Sequence, residues 1–252
     1  AGIDAAADGD TVLVQPGSYD GINYNGKNIV VGSLTLTTGD TSYISSTFIS
    51  GGSNPNPGSI YIGWELTQSA VLCGFTITGS RGIYLIHSEP ASVTLNDLII
   101  TDCDINDDAA GIKTHGGVLN MNNVVIKNNS SSYQGGGILG FYGYGTWENV
   151  VITNNYAGYC GGGVYLTSSN YTLINVTIVD NVTGDGQGFN CNSDGYGNSL
   201  INNSIIWNNY PAEFDGNPII SYSNIQGGWT GEGNIDTDPL FTDPDNEDFT
   251  LQ

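Results

Sequence analysis

The most constraining feature of the sequence is an internal repeat of about 26 residues. Isoleucines mark the same position in successive units, at Ile77, Ile100, Ile126, Ile152, Ile178 and Ile206. A large apolar residue precedes each mark by five positions, at Leu72, Leu95, Met121, Trp147, Leu173 and Ile201. A small residue follows each mark by three positions, at Ser80, Cys103, Asn129, Asn155, Asn181 and Asn209. A second apolar series follows a Gly-rich loop, at Ile83, Ile112, Ile138, Val164 and Phe189. Such a pattern indicates one supersecondary unit copied along the chain.

Each unit contains short alternating β runs separated by Gly and Asn, and it is too small to bury its apolar side chains alone. Stacking the units as coils of a solenoid turns each series into a continuous column. The Asn series fits, because an amide can bond the amide one coil away and Asn tolerates the left-handed backbone of a tight turn. A β-propeller does not fit, since its blades need about 40 residues. The sequence therefore predicts an all-β parallel solenoid of about nine coils, roughly 40 Å long.

Strands of the form T-I-x-x-N and loops of the form G-G-G-I resemble those of right-handed parallel β-helix proteins in the pectate-lyase-like superfamily. The opening residues 1–19 and the closing segments 235–241 and 248–252 are similar to the ends of bacterial secreted β-helix repeat proteins. The resemblance implies a single-stranded right-handed parallel β-helix. It leaves function open, because the superfamily includes lyases, hydrolases, epimerases and adhesins.

We expect residues 1–252 to form a single β-helix domain. Residues 1–10 are predicted to form the N-terminal cap, with a short Ala-rich helix over 1–7, and residues 11–225 the coils. Residues 226–252 are predicted to form a C-terminal cap or tail that folds across the last coil. The stretch 39–63 departs from the period, and the Gly- and Pro-rich residues 51–58 are expected to protrude as a loop.

Charge limits the partners that the protein can bind. Four Lys and Arg residues oppose 25 Asp and Glu residues, and the formal net charge of −21 repels nucleic acid and anionic membrane surfaces. No run of 18 apolar residues occurs, so membrane insertion is not expected. The charge also disfavours acidic polysaccharides unless divalent cations bridge the two. High acidity suits a protein at an extracellular or cell-surface location, and we expect a module of a longer exported precursor. Like-charge repulsion for solubility is nevertheless the more common reason for such acidity.

Candidate metal ligands lie in the acidic tail. Oxygen ligands suited to Ca²⁺ are supplied by Asp236, Asp238, Asp243 and Asp245, although the D-x-[DN]-x-[DN]-G loop signature is missing. Apart from Ca²⁺, no cofactor is expected. The cysteines lack C-x-x-C spacing, which argues against a zinc or redox site, and both buried free thiols and one loop disulfide fit Cys73, Cys103, Cys160 and Cys191.

The candidates for catalysis are Asp107, Asp108, Lys113, His115 and Arg81. The resemblance implies Asp107, Asp108, Lys113 and His115, because polygalacturonase-like hydrolases of this fold use paired aspartates with a His and an Arg-x-Lys element. Arg81 and Lys113 also open successive strands and could provide the base of a calcium-dependent lyase. The repeat argues against both, because Asp107 and Asp108 occupy a loop slot and no Gly-His-Gly or Arg-Ile-Lys motif follows. We therefore predict that none of these residues is catalytic.

Tyrosines cluster in consecutive units near the Gly-rich loops. The candidates for a glycan- or partner-binding surface are Tyr133, Tyr142, Tyr144, Tyr156 and Tyr159. Several must be exposed, because the apolar series already occupy the inward positions. Exposed aromatic rows stack on sugar rings or on another protein, although tyrosine is also common on ordinary β surfaces.

The sequence favours a non-catalytic extracellular β-helix module, structural or adhesive, that binds polysaccharide or associates with like subunits into a homo-oligomer or filament. The alternative is a polysaccharide lyase or glycoside hydrolase of the same fold. A catalytic β-helix is expected to concentrate charged groups on one sheet, whereas this chain repeats Asn, Thr and Ser, which favours the first interpretation.

Overall fold

The computed structural model describes residues 2–51, 58–88, 90–184, 189–191, 197–211 and 214–252. In chain order the elements are α1 (Gly2–Ala5), β1 (Thr11–Val14), β2 (Gly17–Asp20), β3 (Ile22–Asn23), β4 (Val30–Ser33), α2 (Thr35–Thr38), the 3₁₀ helix η1 (Thr41–Ser46), β5 (Thr47–Gly51), β6 (Ile60–Ile62), β7 (Ser69–Cys73), β8 (Thr76–Gly79), β9 (Ile83–Ile86), β10 (Ser92–Ile105), β11 (Ile112–His115), β12 (Val118–Lys127), β13 (Ser130–Ser131), β14 (Ile138–Phe141), β15 (Tyr144–Thr153), β16 (Tyr156–Ala157), β17 (Val164–Thr167), β18 (Asn170–Ile174), β19 (Thr177–Val179), β20 (Val182–Thr183), β21 (Phe189–Cys191), β22 (Leu200–Asn202), β23 (Ile205–Trp207), β24 (Phe214–Gly216), β25 (Ile219–Ser221), β26 (Asn224–Ile225), β27 (Phe241–Asp243), the 3₁₀ helix η2 (Pro244–Asn246) and β28 (Asp248–Leu251).

The strands form a parallel solenoid in which each coil visits three sheet surfaces in turn. The first sheet contains β1, β4, β7, the first halves of β10, β12 and β15, and then β18, β22 and β25. The second contains β2, β5, β8, the second halves of the same three long strands, and then β19, β23 and β26. The third contains β3, β6, β9, β11, β14, β17, β21 and β24. With about seven full turns and shorter end coils, the predicted coil count roughly fits.

The strand register confirms the predicted apolar columns. In the first sheet Met121 pairs with Leu95 on one side and Trp147 on the other, and Trp147 pairs with Leu173. In the second sheet Ile152 pairs in the same way with the isoleucines of the coils before and after it. These side chains are buried, so equivalent residues stack along the axis and form one core.

A ladder of buried asparagines lies at the bend that follows the second sheet. Oδ1 of Asn155 accepts hydrogen bonds from the backbone N and Nδ2 of Asn129, at 3.0 and 2.9 Å. Nδ2 of Asn155 donates to Oδ1 of Asn181 and to the carbonyl oxygen of Ile126, both at 2.9 Å. The ladder therefore ties each coil to its neighbours and confirms the predicted amide stacking.

The left-handed backbone conformation belongs to the residue before each ladder asparagine. Asn128 has φ 55° and Asn154 has φ 53°. The expectation that one residue both stacks and turns the backbone was wrong, because the stacking side chain must point into the core while its neighbour turns the chain. Two adjacent residues divide the two tasks.

Glycines of the third sheet and its following bend make room for the largest core side chains. The rings of Trp147 and Tyr171 lie 4.6 Å apart, and both side chains are fully buried. A Cβ on Gly140 would lie 2.8 Å from Cδ2 of Leu166, and one on Gly143 would lie 2.1 Å from the Tyr171 hydroxyl. The interior is close-packed, so the absence of these side chains leaves room for Leu166 and for the Tyr171 ring that packs on Trp147.

The N-terminal end is closed by α1, which is shorter than the predicted helix. The ammonium group of Lys27 donates to the carbonyl oxygens of Ile3, Asp4 and Ala6 at 2.6–2.8 Å, so a cation holds the helix C-terminus in place. The stretch 39–63, which departs from the period, contains β5 and β6, and both strands pair in register within the sheets. Residues 52–57 of the expected loop lie outside the described part.

The C-terminal residues follow a path that the sequence did not reveal. Ile235 bonds the last coil, because its backbone N donates to the Ser223 carbonyl at 2.9 Å and its carbonyl accepts from the Ile225 N at 3.0 Å. Beyond it, β27 and β28 form an antiparallel hairpin. Lys127 on the second sheet contacts Glu247 of this hairpin in an ion pair. The tail was predicted to fold across the last coil, but residues 241–251 instead lie along the outer side of the second sheet.

Candidate functional site

The candidate site is the outer side of the third sheet. Strand alternation turns Ile83 and Leu85 into the core and Tyr84 outward. The outward row through Tyr84 contains, in register, Tyr61, Tyr84, Lys113, Leu139 and Tyr165. We use the name aromatic face for the surface formed by Tyr61, Trp64, Tyr84, His115, Phe141, Tyr142 and Tyr165.

The first part of the aromatic face is centred on Tyr84. Its ring centroid lies 5.9 Å from that of Tyr61, and the two rings are tilted by 47°. The guanidinium carbon of Arg81 lies 5.3 Å from the Tyr84 centroid, and Nζ of Lys113 lies 5.9 Å from it. Partial burial raises the pKa of both tyrosines, an effect that Arg81 partly opposes at Tyr84. The phenols therefore stay protonated at neutral pH and can donate hydrogen bonds to a ligand.

The second part is centred on His115. Its ring centroid lies 6.1 Å from Trp64, 6.2 Å from Phe141 and 5.5 Å from Tyr142. Trp64 is 58% exposed and Tyr142 is 61% exposed. Exposed aromatic rings in contact with one another form an amphipathic surface, which is typical of sites that stack against sugars or other flat ligands.

Arg81 is used to hold the chain together. Its side chain is buried, its Nε donates to the Ala109 carbonyl at 3.0 Å, and one terminal nitrogen donates to the Asp108 carbonyl at 2.8 Å. The same nitrogen pairs with the Asp107 carboxylate at 2.9 Å. Burial acts to raise the pKa of Asp107, but the Asp108 backbone N–H and Arg81 outweigh it and hold that pKa below its ordinary value. A carboxyl group that stays ionised is poorly suited to act as the acid of glycoside hydrolysis.

The tyrosines predicted from the sequence lie in two groups, at the bends before and after the strands of the third sheet. Tyr133, Tyr156 and Tyr159 are exposed at the bend before this sheet, where the Tyr159 N donates to the Tyr133 carbonyl at 2.8 Å. Tyr142 and Tyr144 lie at the bend after it, and Tyr144 begins a strand of the first sheet. Four-residue strands about 13 Å long separate the two groups, so they do not form one cluster.

Sequence reasoning missed Tyr61, Trp64 and Tyr84. A signal for two of them was present, because each tyrosine directly follows an inward isoleucine, at Ile60 and Ile83. In a strand the residue after an inward residue points outward. Trp64 lies just after β6 and carries no repeat signal, so its contact with His115 required the tertiary structure.

The proposed metal ligands lie apart from one another in the acidic tail. Asp236 accepts a hydrogen bond from the Gly227 N at 3.2 Å, Asp238 from the Leu240 N at 3.0 Å, and Asp243 from Nδ2 of Asn246 at 2.8 Å. Within the described residues, no three Asp, Glu, His or Cys side chains are grouped so that they could hold a metal ion. The structure does not bring Asp236, Asp238, Asp243 and Asp245 together, and Ca²⁺ binding there stays a prediction.

The thiols and the second histidine lie inside the protein. Cys73, Cys103 and Cys160 are buried and free, and the side chain of Cys191 lies outside the described residues. Burial raises the pKa of Cys73 to about 11 and that of Cys103 to about 12, so neither is a reactive thiolate. His87 is fully buried, and its Nε2 lies 3.0 Å from the Val118 carbonyl oxygen.

Comparison with known protein families identifies the fold. The sequence profile of the right-handed beta helix region matches residues 60–231, well over half of the chain. The chain belongs to the right-handed β-helix family. This match and the parallel coils confirm the predicted fold class, and both are consistent with the pectate-lyase-like superfamily. Comparison with curated proteins found no significant match. In the described part of this β-helix, no helix is long and apolar enough to cross a membrane.

Proposed function

We propose that this β-helix is a non-catalytic extracellular or cell-surface module that binds a neutral polysaccharide on its aromatic face. The observation that carries the proposal is the exposed group of rings formed by Trp64, His115 and Tyr142, with Phe141 beside His115 and the Tyr61–Tyr84 pair on the same outer side of the third sheet. Sugar rings offer apolar C–H faces that stack on such surfaces and hydroxyl groups that bond phenols.

The rigidity of the sheet supports binding. Tyr84 and Lys113 are directly paired across neighbouring strands, and the columns beneath them are buried. A surface that is ordered before the ligand arrives loses little conformational entropy when the ligand binds. A polymer can therefore contact several coils at once without rearrangement of the protein.

Charge determines which polysaccharides fit best. The protein carries a formal net charge of −21, so a polyanionic chain is repelled over most of the surface. A neutral chain is not repelled and needs no bridging cation. Neutral β-glucans, xylans and mannans are therefore the substrate class that we expect.

The alternative function as an enzyme has weaker support. Arg81 is occupied by two backbone carbonyls and Asp107, and this pairing helps to keep the Asp107 carboxyl ionised. Hydrolysis requires two carboxyl groups placed on either side of the bond that breaks. The geometry around Tyr84 favours binding over cleavage.

The test is affinity electrophoresis and calorimetry with a panel of neutral polysaccharides. We expect Tyr84→Ala and Trp64→Ala each to weaken binding about 2- to 12-fold, since one aromatic stacking contact is worth about 0.5–1.5 kcal/mol. The matched control is Tyr222→Ala, because Tyr222 is 55% exposed but lies outside the aromatic face. If Tyr84→Ala and Trp64→Ala bind as tightly as Tyr222→Ala, the aromatic face is not the binding site. Release of unsaturated or reducing ends, abolished by Lys113→Ala, would support the enzyme alternative.

A further inference from the structure

The C-terminal hairpin covers an apolar part of the second sheet. We use the name strap for residues 238–252, which include β27 and β28. One outward row beneath it contains Ile99, Val125, Val151 and Thr177, and the next contains Thr101, Lys127, Thr153 and Val179. Phe249 of the strap faces the first row across a cavity of about 430 Å³. We call these two rows the seat; its residues are aliphatic side chains and threonines, and Lys127 is the charged residue among them.

Side chains alone attach the strap to the coils. The hairpin bonds are internal to it, including the Gln252 N to the Leu240 carbonyl at 3.1 Å and Thr250 Oγ1 to Thr242 Oγ1 at 3.1 Å. In the described residues, the Lys127–Glu247 ion pair is the one hydrogen bond or ion pair that joins residues 241–252 to the coils. The strap can leave its seat without breaking a single backbone hydrogen bond to a coil.

The connection to the strap is short and strained. The chain bonds the last coil through Thr237, whose N donates to Oδ1 of Asn224 at 3.2 Å, and it then reverses along the side of the solenoid. Leu240 has φ 52° within this reversal and is exposed. A leucine is rarely found in the left-handed region, so an extended connection relieves strain. Short strained connections favour exchange of the segment between copies.

We propose that two copies of this chain exchange straps, each strap occupying the second sheet of the other copy. Reciprocal exchange closes a two-fold dimer and uses contacts that the single molecule already makes. The occupant is a second copy because its strap is the acidic, phenylalanine-bearing hairpin that this seat fits, with Glu247 opposite Lys127. The proposal goes beyond polysaccharide binding. The dimer would leave both aromatic faces free and give a bivalent binder.

Charge reversal provides a decisive test. Lys127→Glu and Glu247→Lys each place like charges together in the closed monomer, while a mixture of the two variants restores both opposite-charge contacts when straps are exchanged. The Lys127→Glu/Glu247→Lys double variant restores them within one molecule. By size-exclusion chromatography with light scattering, we expect the mixture to form at least about tenfold more dimer than either variant alone. The double variant should behave like the unmodified protein.

The controls separate exchange from unfolding and from non-specific association. Circular dichroism should show all variants folded, and Leu240→Gly, which removes the strain, should reduce dimer formation by the unmodified protein at high concentration. Carbodiimide coupling of the 127–247 pair in the unmodified protein should join two chains in the dimer fraction and one chain in the monomer fraction. A mixture that stays monomeric, or a dimer fraction coupled only within single chains, would overturn the proposal.

Discussion

Replacement of Asn155 by alanine tests whether the asparagine ladder holds the coils together. The side chain is buried and makes four hydrogen bonds to three residues. Its loss leaves the Asn129 backbone N–H without its partner, which costs about 1–3 kcal/mol. Three other bonds are lost, at Nδ2 of Asn129, at Oδ1 of Asn181 and at the Ile126 carbonyl, and the first two of these groups keep another partner. Each of the three bonds is worth about 0.5–1.5 kcal/mol. Together they predict a loss of about 2.5–7.5 kcal/mol in the free energy of unfolding.

The assay is urea unfolding followed by far-ultraviolet circular dichroism. The matched control is Asn122→Ala, because Asn122 is an exposed asparagine on the neighbouring coil whose Oδ1 accepts one long bond, 3.4 Å from Asn149 Nδ2. We expect the control to change stability by less than about 0.5 kcal/mol. If Asn155→Ala costs no more than the control, the ladder does not stabilise the fold and the reasoning is wrong.

Two further outcomes are expected. Burial holds the pKa of His87 below its ordinary value. As pH falls below about 6.5, the unfolded chain therefore takes up a proton that the folded protein resists. The free energy of unfolding then falls by up to about 1.4 kcal/mol per pH unit. Urea unfolding at pH 7.5 and 5.5 should show a smaller loss of stability at the lower pH for His87→Gln than for the unmodified protein. An equal loss in the two proteins would show that His87 does not cause this pH dependence. Arg81→Ala should lower the free energy of unfolding by about 2–5 kcal/mol, because it removes the hydrogen bonds that Arg81 donates to two carbonyl groups. Lys113→Ala should change the urea midpoint little. Similar midpoints for the two variants would exclude a structural role for Arg81.

The candidate site was predictable in kind but not in detail. Exposed tyrosines were expected, and Tyr142 belongs to the aromatic face. The contact between Trp64 and His115 joins residues from β11 and from the turn after β6, and such contacts depend on how the coils stack. The role of Arg81 was also not evident from the sequence, because its hydrogen bonds reach Asp107 and Ala109 on the next coil.

The columns of the core follow from the sequence alone. A parallel coil repeats its surroundings every 26 residues or so, and each position therefore selects the same type of side chain, as Ile126, Ile152 and Ile178 show. The direction of each side chain follows from strand alternation. Periodicity is a local and repeated signal, and a single sequence is enough to detect it.

The packing of single, non-repeated parts was determined by the tertiary structure. The strap has no counterpart in any other unit, so nothing in its sequence showed that Glu247 would lie beside Lys127, 120 residues earlier. Likewise, Gly143 leaves room for the Tyr171 ring, although neither residue reveals this alone. Contacts of this kind depend on volume and charge brought together from distant parts of the chain, and that information exists only after the coils have closed.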